Sequence, residues 1–113
     1  MKRSLRLRVV LDLAERNEQE ALERMTHAQR YLDDQKGQVE NLKSYHAQYL
    51  NDMRHTVGTV QNVANLQSNL HFMNQIDLAV QQQQVMVEQA QRAFDTMLAS
   101  WTALHQKKKG LED

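Results

Sequence analysis

LRVVLDLAERNEQEALERMTHAQRYLDDQKGQVENLKSYHAQYLNDM, residues 7–53, carries one stripe at alternate steps of four and three. Its members are Leu7, Leu11, Ala14, Glu18, Ala21, Met25, Ala28, Leu32, Gln35, Val39, Leu42, His46, Tyr49 and Met53, and eleven of these fourteen are apolar or aromatic. A repeat held for more than six heptads describes the narrow seam of a coiled coil, not the broader face of a globular helix. Such a seam needs a partner helix of equal length.

The rest of the chain supplies one. From His55 to Ile76 there is no Asp, Glu, Lys or Arg, and HTVGTVQN at 55–62 combines β-branched residues with Gly58. That is the weakest helix propensity in the interior of the chain, so the turn is expected there. A second seam follows: Leu66, Leu70, Met73, Ile76, Val80, Gln83, Val87, Ala90, Phe94, Met97, Trp101, Leu104, Lys108 and Leu111. Two consecutive three-residue steps, Leu70 to Met73 to Ile76, predict a stammer and local overwinding. Folding the chain back pairs positions whose numbers sum to 122, which sets Trp101 against Ala21, Phe94 against Ala28 and Leu32 against Ala90. Large faces small at each, as close packing at a fixed helix separation requires. The expected fold is all-α: a single coiled-coil domain over 1–113, a long antiparallel two-helix hairpin with helices at about 5–54 and 63–110 and the turn at about 55–62. Each arm is roughly 75 Å long at 1.5 Å per residue.

Composition excludes several functions. Fourteen cations balance fourteen acids, so no global field draws the chain to nucleic acid. No Cys is present, which removes disulfides, thiolate catalysis and Cys-based zinc sites. The five histidines include no i,i+3 or i,i+4 pair, and there is no HExxH, no GxSxG and no phosphate-binding glycine loop. No catalytic residue, cofactor site or metal site is expected. The opening MKRSLRLRVV is broken by Asp12 and Glu15 before it reaches the apolar length of a signal peptide, and no stretch approaches a membrane span. Membrane association is therefore expected to be indirect. Ser4 can cap the first helix, although Lys2, Arg3, Arg6 and Arg8 stand at the end where the macrodipole disfavours cations. Glu18, Gln35 and His46 are polar breaks in the seam of the kind that fix register.

One constellation points to a partner. Gln38, Leu42, Tyr45 and Tyr49 follow steps of four, three and four, and Phe72, Ile76, Ala79 and Gln83 repeat those steps on the second arm. In antiparallel pairing their numbers sum to 121, setting Gln38 by Gln83, Leu42 by Ala79, Tyr45 by Ile76 and Tyr49 by Phe72. This is either a seam slightly wider than average or an apolar docking patch on one flank.

With Asp12-Leu13-Ala14-Glu15, those two stripes, Val80 and Ser100-Trp101, the chain resembles the FliJ family, the small coiled-coil components of the bacterial flagellar type III export apparatus. The resemblance spans essentially the whole chain. It implies a non-enzymatic antiparallel coiled coil that couples the hexameric export ATPase to the cytoplasmic domain of the membrane export gate and escorts export chaperones. It further implies a cytoplasmic protein, peripheral to the inner membrane through that apparatus, and monomeric when free. Gln38, Leu42, Tyr45, Tyr49, Phe72, Ile76, Ala79 and Gln83 would then form the gate-binding stripe, and Lys2, Arg3, Arg6 and Arg8 the ATPase-proximal contacts. Ile76 stands where the family more often has Leu, and Gln83 where some members have His. The second arm stops at Asp113, earlier than is usual in the family, which implies a shorter ring-proximal end. Two other readings are a generic coiled-coil scaffold, indifferent to Tyr45, Tyr49 and Phe72, and a secretion chaperone that binds an exported substrate.

Overall fold

In a computed structural model, which describes residues 3–56 and 63–113, α1 spans Arg3–Thr56 and α2 spans Val63–Glu112. Among the described residues there is no strand. Both helices exceed the expected limits slightly. α1 starts at Arg3, so Ser4 lies within the first turn and does not cap it. His55, expected in the turn, belongs to the last turn of α1, where its Nδ1 lies 2.8 Å from the Asn51 carbonyl oxygen. Thr56, also expected in the turn, is the last residue of α1, and 57–62, including Gly58, lie outside the described residues.

The chain packs as two units, Met1–Leu32 with Gln89–Asp113, and Asp33–Glu88. Each contains a segment of α1 against a segment of α2. In the first, Glu18 meets His105 and Lys108, and a groove brings Ala28 beside Ala93 and Met97. In the second, Gln35 meets Gln83, His46 meets Asp77, and Tyr49 meets Asn69 and Phe72. Rising numbers on α1 face falling numbers on α2 in both, so the pairing is antiparallel. The number sums of these side-chain pairs and of Tyr45 with Phe72 run from 117 to 126 and bracket the expected 122.

Burial follows the seam. Every α1 seam position from Leu11 to Met53 is buried or half-buried, with Leu7 exposed. In the first unit the core is Ala21, Leu32 and Ala90, and Trp101 is half-buried. In the second it is Val39, Met73 and Ile76, with Gln35 as a buried polar member. No described large side chain is wholly enclosed, because two helices shield a side chain on only part of its circumference.

The second seam differs at its start. Leu66 and Leu70 are exposed, while Asn69 and Phe72 are half-buried. Asn69, Met73, Ile76, Val80 and Gln83 keep alternate steps of four and three, so the expected stammer is absent. A hydrogen bond explains the choice: the Tyr49 hydroxyl donates to Asn69 Oδ1 at 2.6 Å, which draws a polar side chain into the seam.

Trp101 stacks on His105, ring centroids 5.0 Å apart and planes at 19°, and its Nε1 is buried without a hydrogen-bond partner. The ring thus contributes through apolar contact, and Trp101→Ala should cost about 3 kcal/mol, the low end for a buried aromatic because the seam encloses it partially. A thermal melt reads this, and an unchanged midpoint would show that the ring does not pack between the arms.

Candidate protein-docking site

The aromatic stripe falls within the second unit. Phe72, one side chain of α2, lies between two rings one helical turn apart on α1: Tyr49 at 4.8 Å and 57°, and Tyr45 at 6.2 Å and 72°. Both distances suit edge and tilted packing, which adds about 0.5–1.5 kcal/mol per pair beyond area burial. The four-residue step from Tyr45 to Tyr49 stacks them on one face of α1, so a single α2 ring can touch both. Tyr45 is the outermost, 53% exposed.

Other members sit at different depths. Gln38 is exposed, Leu42 and Ala79 are half-buried, and Ile76 is buried. Gln83, half-buried, turns its amide towards Gln35. Its Nε2 donates to Gln35 Oε1 at 2.6 Å and to the Gln35 carbonyl oxygen at 3.3 Å. The reason is energetic: a buried Gln35 amide without a partner would cost about 1–3 kcal/mol, and Gln83 is the seam amide within reach. The Tyr45 ring packs edge-on to Phe72. The stripe is thus layered, with Ile76 and Gln83 inside, Tyr49 and Phe72 at the edge, and Tyr45 and Gln38 outside.

Arg3, Arg6 and Arg8 are exposed on the first turns of α1. Lys2 lies outside the described residues.

Polar pairs flank and pin these surfaces. His46 Nε2 lies 3.0 Å from Asp77 Oδ1 in the second unit. In the first, Glu18 Oε1 lies 2.5 Å from His105 Nδ1 and Oε2 lies 3.1 Å from Lys108 Nζ, with Lys108 also 3.9 Å from Glu112. The hydrogen bond from His105, then that from Lys108, hold the Glu18 carboxyl below its ordinary value of 4.5 against the opposing effect of desolvation. The bond to Glu18 raises Lys108 above 10.5. Sequence reasoning marked Glu18 and His46 as register-fixing breaks but missed His105, Asp77 and Asn69. The signal for two of them was present, since Glu18 with His105 and His46 with Asp77 each have numbers summing to 123.

A family model described as "Flagellar FliJ protein" matches residues 1–113, the whole chain. The chain belongs to the FliJ family. No individual curated protein and no solved structure matches it. As a FliJ family member it is a component of the flagellar export apparatus, in a family whose members are structural and export components, not enzymes. Among the described residues no group of His, Asp and Glu could hold a metal ion, and no helix is long and apolar enough to cross a membrane.

The Glu18 cluster gives this FliJ family member a defined pH response. Because the folded carboxyl is lowered, its contribution is full above pH 4.5 and is lost as pH falls through the lowered value; that of Lys108 is full below 10.5 and is lost as pH rises through its raised value. Glu18→Gln should therefore lower the melting midpoint at neutral pH and flatten its fall below pH 4.5. Wild type and variant with parallel acid limbs would show that the carboxylate contributes nothing.

Proposed function

We propose that this chain is a non-enzymatic rod that couples the hexameric export ATPase to the cytoplasmic domain of the membrane export gate, and that it escorts export chaperones. The observation that carries the gate contact is the three-ring cluster of Tyr45, Tyr49 and Phe72 on a FliJ family chain. Rings already packed against one another have less side-chain freedom left to lose when a partner covers their remaining face. Tyr is also among the residues that dominate interface energetics when a pocket desolvates it. Gln38, Leu42 and Ala79 line the same flank, and Ile76 and Gln83 support it from inside.

We assign the ATPase contact to Lys2 together with Arg3, Arg6 and Arg8 of the first turns of α1. Exposed guanidinium groups at this end suit acidic loops, and such contacts are screened over about 8 Å at physiological ionic strength. ATP binding and hydrolysis belong to the partner; the rod biases ring assembly or passes its cycle to the gate. In this reading the protein is cytoplasmic, reaches the inner membrane through the apparatus alone, binds no nucleic acid and is monomeric when free.

The test is binding to the gate's cytoplasmic domain. Tyr45→Ala, which removes a largely exposed side chain, should weaken binding at least tenfold without changing helicity. Tyr45, Tyr49 and Phe72 all changed to Ala should abolish it, with helical content verified. Leu78→Ala with Val85→Ala, exposed residues of the same unit, should bind as wild type does. Equal binding by the tyrosine variants would return the rings to a purely packing role.

A further inference from the structure

The start of α1 exposes more than cations. Leu5, Val9 and Leu13 are 49%, 61% and 54% exposed. Their i, i+4, i+8 spacing forms one file along the helix, and at 100° per residue Leu5 and Val9 point away from the seam residues Leu7 and Leu11. No lengthening of the two-helix seam would cover that side. At its far end Leu13 joins Val10, Ala14 and Asn17 in edging a groove completed by Leu104, Lys107 and Leu111 of α2, all within the first unit. The file thus runs into an apolar groove.

The neighbouring charges select the occupant. From Arg3 to Leu11 there are three Arg and no acid, and Lys107 lines the groove itself. A partner is favoured by carboxylates around an apolar centre. A membrane surface fits less well, because Asp12 lies about 60° from Val9, close enough to be pressed against anionic headgroups. Apolar side chains at i, i+4, i+8 spacing with basic flanks are what an anchor for a groove between helices requires.

We infer that Leu5, Val9 and Leu13 are the apolar anchors of the start of α1, docking into a partner groove rimmed by acidic side chains. This deepens, and rests on, the reading that the basic start of α1 meets the export ATPase. It makes that contact mainly apolar, with the arginines steering approach.

The experiment compares wild type, Leu5→Gln/Val9→Gln/Leu13→Gln, and Arg3→Gln/Arg6→Gln/Arg8→Gln for binding to the hexameric ATPase at low and high salt, with vesicles containing phosphatidylglycerol as a second probe. All substituted positions are exposed, so melting midpoints are expected to hold and are measured first. The anchor variant should lose at least tenfold in affinity at both salts. The arginine variant should lose affinity at low salt and approach wild type at high salt. Anchor and wild-type proteins that bind the ATPase equally would overturn the inference and leave the coupling reading in place. A wild type that binds no ATPase would overturn the coupling reading and this occupant with it, and vesicle binding that depends on the same three residues would reassign the file to membrane.

Discussion

The structure depends on polar side chains placed where an apolar seam would otherwise be free to slide. A heptad repeat is nearly degenerate under a shift of seven residues, so Leu, Val, Met and Ala alone hold two arms together without saying which residue faces which. Here the interruptions discriminate. Gln35 finds Gln83 in one unit, and Glu18 finds His105 and Lys108 in the other. Any shift would strand a seam amide or carboxylate, and that loss, not the modest gain of each bond, makes the register unique.

Register in turn builds the candidate site. Phe72 reaches both Tyr45 and Tyr49 because α1 and α2 are aligned as they are. Asn69 contributes by fixing the Tyr49 hydroxyl, which sets the ring at the edge of the seam and leaves Tyr45 as the outer face. The same side chains that close the core therefore shape the surface offered to a partner. Separating the two roles needs Tyr45, where exposure is greatest, not Tyr49 or Phe72, where packing and recognition coincide. At the start of α1 the relation is reversed, since Leu5 and Val9 owe nothing to the seam and their apolar character has no use within the unit.

Most of the fold was legible because charge marks the outer face of α1. From Leu11 onward each stripe position is sheltered, and the size alternation of Leu32 with Ala90 and of Ala21 with Trp101 gave a register that the polar pairs bracket. Legibility failed where that contrast vanished. Between His55 and Ile76 no charged residue distinguishes outside from inside, so Leu66 and Leu70 read as seam and Asn69 as surface, when a tyrosine hydroxyl decided otherwise. The site was legible as spacing but not in every pairing. Steps of four, three and four found the rings and the seam repeat placed Ile76 inside, while the turn of Gln83 towards Gln35 depends on what faces it. Sequence periodicity does not record that.

Both the core and the aromatic surface follow from the register. A chain without cysteine allows a direct measurement: disulfide formation in Leu32→Cys/Ala90→Cys compared with Leu32→Cys/Met97→Cys, one heptad away, under mild oxidation. Rapid, near-complete linkage is expected in the first pair and little in the second. Comparable linkage in both, or preference for the second, would mean that the polar positions do not fix the alignment and that the aromatic surface built on it is not unique.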